Sequence, residues 1–294
     1  MSEILIIVLL AILLDHLIPD RQGIKPFAWY RDWAESIEER FNGGKRTHGI
    51  GAVLLATLPI VAGVLLIHYI LGELGWILRI AFDVVVLYLC LDVHRLGKTA
   101  NAISNALESG ELGEADEKLR ELVGKGAPER TDANIARAAV EGVLKQGNSL
   151  IVSPIFWFIL LGPVGALLFC LAVRLKNHCK DLRGSYADAV RNLHNVLIWP
   201  AARLLALGFA LAGSLVDALE GWRDVKGYTL DNSGAVITES AIGAIQFRAM
   251  DKADEQAQKA EYLARIQEVQ ALINRTLIIW LTILGLMTLR GILG

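Results

Sequence analysis

The chain has 294 residues, of which 54% are hydrophobic, and its mean hydropathy of +0.44 lies well above that of a typical soluble domain. Its net charge of −2 gives no global basic field, which excludes a general nucleic-acid binder. The three cysteines (Cys90, Cys170 and Cys179) are odd in number and show no paired spacing, which argues against a disulfide framework or a cysteine metal site. The apolar residues gather in blocks that approach the roughly 20 residues needed to cross a bilayer. Because backbone amides in lipid must be satisfied within each block, the sequence predicts an all-α, polytopic transmembrane helical bundle.

The first part of the chain, residues 1–94, contains three predicted membrane helices, at about 4–18, 50–71 and 76–93. In the third block Arg79 and Asp83 lie four residues apart, so a helix places them on one face. This spacing predicts an intramembrane ion pair. A transport site is the alternative, since charged residues inside a membrane often mark one.

Residues 95–148 differ in kind, because charged residues alternate there with apolar residues at helical spacing. Thr131 or Asp132 can cap a second helix in this segment. We interpret 95–148 as a cytoplasmic helical insert that is too small to be an independent catalytic domain.

Residues 149–216 form the next membrane block, and Gly162-Pro163 interrupts its first helix. Proline removes a backbone hydrogen bond, so the helix must kink or break there. A single kinked span and a re-entrant helical hairpin both fit this pattern. A polar loop with a charged helix follows at 217–275, and 276–294 is the C-terminal membrane helix.

Basic residues bear on the orientation of the chain. Segments 19–49 and 95–148 carry six and eight Lys or Arg residues, and the positive-inside rule places both in the cytoplasm. Segment 174–195 carries five. This segment would lie outside the cell if the helix that contains Gly162-Pro163 were a full span. It would lie in the cytoplasm if that helix were re-entrant.

The common signatures of soluble enzymes are missing from the sequence: phosphate-binding and dinucleotide-binding glycine loops, a nucleophile elbow and a zinc-protease motif. The six histidines are scattered along the chain. We therefore predict no metal site and no cofactor.

Several segments of this chain together resemble the CobD/CbiB–AmpE superfamily of membrane proteins: YLCLDVHRLGKTANAISNALESGEL, ARAAVEGVLKQGN, SPIFWFILLGPVGALLF and WPAARL. The resemblance covers most of the chain. In the cobalamin branch it implies an ATP-consuming enzyme that forms an amide bond in cobalamin synthesis. In the AmpE branch it implies a protein associated with a cell-wall amidase and with β-lactamase induction.

Polar positions distinguish the two branches. Where the resemblance implies Glu, Asn and Asp, this chain has Lys145, Gln146 and Ser149, and other carboxylate positions of the cobalamin branch are replaced by Lys176 and His194. Carboxylates and amides of this kind hold Mg²⁺ and phosphates. Their loss favours the AmpE branch and argues against ligase chemistry.

The AmpE resemblance implies a regulatory or sensor protein in the bacterial inner membrane, linked to muropeptide recycling and β-lactamase induction. Its implied partners are the lipid bilayer and a cytoplasmic amidase or a muropeptide-type ligand, without nucleic acid. The alternative is a CobD/CbiB-like membrane enzyme that forms an amide bond in cobalamin or related biosynthesis.

The resemblance also implies a ligand-binding recess, whose candidate residues are Arg137, Glu141, Arg203, Asn232 and Glu239. The alternative role for these charged residues is to fix helix packing through buried pairs. An unpaired Arg203 inside a membrane block would cost on the order of 2.5–3.5 kcal/mol. We therefore predict that Glu141 and Arg203 approach within about 10 Å, one screening length at 0.1 M salt.

Overall fold

A computed structural model describes residues 2–18, 28–41, 46–123, 131–227, 229–247 and 255–293. In these ranges the secondary structure is entirely helical, which confirms the predicted all-α class. The helices are α1 (Ser2–Leu17), α2 (Ala28–Phe41), α3 (Arg46–Leu74), α4 (Trp76–Cys90), α5 (Val93–Glu108), α6 (Leu112–Val123), α7 (Asp132–Gly147), α8 (Ser153–His178), α9 (Ser185–Ala212), α10 (Leu215–Asp224), α11 (Ser233–Ala244) and α12 (Glu255–Leu293). Parts of the predicted segments 19–49, 95–148 and 217–275 lie outside the described residues.

Helical segments long and apolar enough to cross a membrane lie at Thr47–Leu74, Asn134–His178, Ser185–Ala212 and Gln256–Leu289. They confirm the predicted helical membrane protein. Their outward surface is rich in leucine, as at Leu58 and Leu66 of α3, which are 52% and 59% exposed. The predicted spans at 4–18 and 76–93 exist as α1 and α4, which have only 16 and 15 residues. At about 1.5 Å per residue neither reaches the roughly 30 Å of a hydrocarbon core.

The chain folds into two compact units, each built from two stretches of sequence. The first unit comprises 1–92 and 153–200. Its core collects small residues of α3, such as Ala52 and Ala56, against leucines of α8. The second unit comprises 93–152 and 201–294, and here α7 packs against α12, α5 and α6, while α10 packs against α11.

The insert contains three helices where the sequence analysis placed two. Gly110, with φ of 77°, ends the regular backbone after α5, and the amide of Glu111 donates to the carbonyl of Ala106 at 2.8 Å. Thr131 caps α7 as predicted, because its hydroxyl accepts a hydrogen bond from the amide of Asn134 at 3.4 Å. A π-helical turn, Asn148–Val152, then connects α7 to α8 without a loop.

The described residues of segment 217–275 are largely helical, so helices extend beyond the one charged helix predicted there. The segment contains most of α10, all of α11 and the first half of α12. The charged stretch and the predicted C-terminal membrane helix are one continuous helix of 39 residues. At about 1.5 Å per residue this helix is nearly 60 Å long, about twice the hydrocarbon thickness.

The Gly-Pro break in α8 reverses the chain. Gly162 has φ of 66° and ψ of −154°, a conformation that only glycine adopts readily. A Cβ atom on Gly165 would touch the carbonyl oxygen of Trp157. In a straight helix these residues would lie about 12 Å apart. Trp157 also packs against the cluster around Phe169, so the two halves of α8 fold together as a helical hairpin, an arrangement that favours the re-entrant alternative.

A re-entrant hairpin places the chain before and after it on the same side of the membrane. We therefore expect cysteines introduced at the exposed positions Ser109 and Arg183 to behave alike. In intact cells both should resist a membrane-impermeant maleimide, and in inverted vesicles both should react. Labelling of only one of them from outside would show that α8 is a full span.

The native cysteines provide a low background for this measurement. All three are buried. Burial, with a smaller contribution from the nearby Glu38 carboxylate, raises the pKa of the Cys179 thiol to about 12, so its reactive thiolate is scarce at neutral pH.

Candidate functional site: a basic recess at the start of α11

Within the first unit, Arg79 and Asp83 of the predicted ion pair each make a short contact with a residue of another helix. Arg79 Nη2 donates to Glu3 Oε2 at 2.8 Å, which joins the beginnings of α4 and α1. Asp83 Oδ1 lies 2.7 Å from His68 Nδ1 of α3. Asp83 is buried, so its partner on another helix satisfies a carboxylate that would otherwise be costly in an apolar bundle.

Arg137 and Glu141, which lie four residues apart on α7, form an ion pair. Arg137 Nε lies 3.5 Å from Glu141 Oε1, and Lys145 Nζ lies 3.0 Å from Glu141 Oε2. The side chains of Arg137 and Lys145 are 65% and 46% exposed. Each ion pair therefore contributes only about a few tenths of a kcal/mol to the free energy of unfolding. Two cations therefore already balance the charge of Glu141.

The positions at which the resemblance implies carboxylates do not fit a magnesium centre. Lys145 is engaged with Glu141, and in the first unit Lys176 Nζ lies 3.2 Å from His194 Nδ1. Mg²⁺ requires oxygen ligands, and Lys145, Lys176 and His194 supply nitrogen. Within the described ranges no group of three His, Cys, Asp or Glu residues could hold a metal ion.

Arg203 of α9 reaches the beginning of α11. Its Nη1 donates to Ser233 Oγ at 2.9 Å, and that hydroxyl donates in turn to the carbonyl of Leu230 at 3.3 Å. Asn232 holds the preceding loop, because its Nδ2 donates to the carbonyls of Lys226 and Gly227, both at 2.8 Å. Gly227 has φ of 85°, the left-handed conformation that this tight loop requires.

These groups border a recess with a volume of about 150 Å³. Arg203, Arg223 and Lys226 supply its basic lining, and Trp222, Val225 and Val236 supply its aromatic and aliphatic walls. Arg203 is half-buried, whereas Arg223 and Lys226 are exposed at the opening. None of the described residues that line the recess is acidic. The recess therefore combines basic side chains with apolar walls.

Close packing of α10 on α11 positions the recess. A Cβ atom on Gly221 would collide with the carbonyl of Glu239, and one on Gly243 would collide with the carbonyl of Asp217. The amide of Ser214 donates to the carbonyl of Ala244 at 2.8 Å, which joins the start of α10 to the end of α11. The last turn of α10 therefore lies beside the first turns of α11.

The predicted ligand-binding residues divide into three groups in the structure. Arg203 lines the recess and Asn232 shapes its loop. Glu239 is exposed and is not among the lining residues. Arg137 and Glu141 lie on α7, and the predicted approach of Glu141 to Arg203 remains a prediction.

A link between α7 and the start of α11 is provided by Lys145. Its aliphatic chain lies beside Gly234, where a Cβ atom would be 3.4 Å from Lys145 Cε.

Three residues of the recess were not predicted from the sequence: Trp222, Arg223 and Lys226. They lie in the short run WRDVK, and a tryptophan with two basic residues in five positions is the only signal that could have marked them.

This chain is similar in sequence to a known protein family and to several known proteins. The sequence model of the family described as CobD/Cbib protein matches residues 8–274. A cobalamin biosynthesis protein CobD from Stutzerimonas stutzeri is 31% identical over 72% of this chain and 71% of the relative. A protein of the same name from Chromobacterium violaceum is 28% identical over 73% of this chain and 70% of the relative. A probable cobalamin biosynthesis protein CobD from Methanothermobacter thermautotrophicus is 28% identical over 83% of each chain.

No solved structure matches this chain. The family match extends from α1 into α12 and therefore includes the sequence of the basic recess. The chain belongs to the CobD/CbiB family.

Proposed function

We propose that this chain is a membrane enzyme of the CobD/CbiB type that forms an amide bond in cobalamin or a related biosynthesis. The observation that carries the proposal is the family match over residues 8–274, together with relatives whose names assign them to cobalamin biosynthesis. This support favours the biosynthetic alternative over the AmpE-type regulator that the replaced carboxylates suggested.

The structure supports a binding role for the second unit in such an enzyme. Amide formation joins a carboxylate to an amine, and a substrate with an anionic group is held most simply by fixed cations. Arg203 is anchored through Ser233 at 2.9 Å, so its guanidinium is held in position at the recess. Fixed charges of this kind orient a substrate without reorganisation during the reaction.

Growth of a strain that lacks its own CobD-type gene tests this function. We expect the chain to restore cobalamin synthesis, measured as growth on a medium that requires it. Arg203→Gln should lower cobalamin production at least tenfold, because one charge-assisted hydrogen bond contributes about 1.5–3 kcal/mol. Arg275→Gln, at an exposed position of α12, is the matched control and should retain activity. Failure to restore growth, with the protein present in the membrane, would contradict the proposal.

A second candidate is an AmpE-type regulator in the bacterial inner membrane, acting with an amidase or a muropeptide-type ligand. Its specific support is that Lys145, Lys176 and His194 stand at positions where the resemblance implies carboxylates. Under this alternative the chain does not restore cobalamin synthesis. Deletion of its gene in the native host instead lowers β-lactamase induction by a β-lactam.

A further inference from the structure

We infer that α2 is an interfacial helix, one side of which lies where the phospholipid headgroups meet the hydrocarbon of the bilayer. This side, called the tryptophan flank, consists of Trp29, Trp33, Ser36 and Arg40. The inference does not depend on the proposed reaction, because it rests on the position and the surface of α2 within the first unit.

The helix α2 has three distinct sides. Its residues follow one another at about 100° around the helix axis. Tyr30, Ala34 and Ile37 form a buried stripe that packs in the core of the first unit. The tryptophan flank lies about 100° from this stripe. Exposed charged residues occupy the remaining surface: Arg31, Asp32, Glu35 and Glu39.

Contacts of α2 and α3 place both at an end of the membrane spans. Glu38 Oε2 of α2 lies 3.4 Å from His178 Nε2, and His178 is the last residue of one candidate span. A second candidate span begins at Ser185, and its carbonyl meets the Cβ position of Gly49 in the first turn of α3. Because α2 packs on α3 and α8 at these span ends, it lies where the hydrocarbon gives way to headgroups.

The two tryptophans suit this depth. Trp29 and Trp33 are 54% and 40% exposed, although an indole ring has a large apolar surface. Tryptophan is enriched at membrane–water interfaces, where its ring contacts lipid and its N–H group reaches polar partners. Arg40 continues the flank toward the end of α2. Its long side chain lets the apolar stem follow the lipid while the guanidinium stays among the phosphates.

The lipid-facing surface of α3 begins beside α2. Ile50 and Leu54, in the first turns of α3, are each 47% exposed. The same turns contribute Ala52 and Val53 to the core cluster that contains the buried stripe of α2. The tryptophan flank therefore lies at the level of the first lipid-facing residues of α3, and lipid is the occupant that contacts both surfaces.

The charge of α2 identifies the kind of lipid surface. The helix contains two arginines and four carboxylates, so its net charge is 2 − 4 = −2. Attraction to anionic lipids requires an excess of basic residues. The partner is therefore a zwitterionic phospholipid surface, which is bound through the aromatic side chains.

Spin labels on α2 test the inference, with the full chain in nanodiscs of phosphatidylcholine. Trp33→Cys carries the label on the tryptophan flank, and Glu35→Cys is the matched control, about 160° away on the same helix. Molecular oxygen concentrates in hydrocarbon, whereas a nickel chelate stays in water. We expect the ratio of collisions with oxygen to collisions with nickel to be at least fivefold higher at position 33 than at position 35. The wild type, labelled in parallel, measures the contribution of the buried native cysteines.

Every other result overturns the inference. Equal collision ratios at the two positions would show that the tryptophan flank faces water. Low collision rates with both reagents at position 33 would show that protein covers the flank. Dipolar broadening between labels would then identify a second copy of the chain as the occupant. Circular dichroism establishes that both labelled variants are folded.

Brominated phosphatidylcholine provides a second measurement in which the wild type keeps both tryptophans. The difference in fluorescence between the wild type and the double variant Trp29→Phe, Trp33→Phe isolates these two side chains from the other tryptophans. Bromine on the acyl chains, near the headgroup, should lower this difference at least twofold relative to unbrominated lipid. An unchanged difference would contradict the inference. Addition of phosphatidylglycerol should leave the quenching unchanged, whereas stronger quenching would show that anionic lipid is the partner.

Discussion

Replacing His68 by leucine is expected to lower the free energy of unfolding by about 3 kcal/mol, because it removes the partner of a buried carboxylate. The side chain of Asp83 is only 8% exposed, and its Oδ1 lies 2.7 Å from His68 Nδ1. Leucine supplies no donor, so Asp83 must either remain charged without compensation or take up a proton. Thermal unfolding in detergent, followed by circular dichroism, measures the loss.

The double variant His68→Leu, Asp83→Leu separates this effect from a general packing defect. Replacing both members of a buried pair by apolar residues is often neutral or stabilising, so the double variant should recover most of the loss. Lys118→Leu is the matched control. Its partner Glu121 is 48% exposed, and such exposed pairs contribute about 0–1 kcal/mol. Equal destabilisation by His68→Leu and by Lys118→Leu would contradict this account.

The same pair illustrates what sequence spacing can and cannot predict. Arg137 and Glu141 lie four residues apart on α7, a spacing at which side chains of one helix can meet, and they are in contact. The hydrogen-bonded partners of Arg79 and Asp83 were not predicted, because Glu3 and His68 approach from other helices. A pattern of three or four residues describes only neighbours within a helix, whereas the partner in a bundle depends on tertiary packing.

Backbone breaks were predictable where the residues themselves impose them. Gly162-Pro163 predicted the break in α8, and the contact of Gly165 with Trp157 favours the re-entrant alternative. Gly110 separates α5 from α6, but one glycine in a periodic stretch is a weak signal and the break was missed. The π-turn at Asn148–Val152 has no recognisable sequence pattern.

The basic recess was predictable only in part. Arg203 and Asn232 were selected through the family resemblance, and both belong to it. Arg223 and Lys226 carry no periodicity, and they enter the recess because α10 packs on α11 and because Asn232 holds the loop. The segment 217–275 contains many small and polar residues, so its helices were hidden from a reading based on apolar blocks.

The contact between α10 and α11 is therefore the structural basis of the recess, and Gly243→Ala tests it. Apart from the collision with the Asp217 carbonyl, the added methyl group would lie 2.9 Å from the Cα atom of Ala218. Backbone atoms cannot rotate away as a side chain does, so the helices must separate. We expect the free energy of unfolding to fall by about 2–3 kcal/mol, the upper part of the range for overpacked sites.

Gly113→Ala in α6 is the matched control, because a Cβ atom there meets no atom within 4 Å. Alanine in an open helical position stabilises by roughly 0.5–1 kcal/mol relative to glycine, so the control should unfold at the same or a slightly higher temperature. Separation of α10 from α11 also moves Arg223 away from the start of α11. Gly243→Ala should therefore lower cobalamin production in the complementation assay as well as stability, whereas unchanged unfolding would show that the two helices can separate without cost.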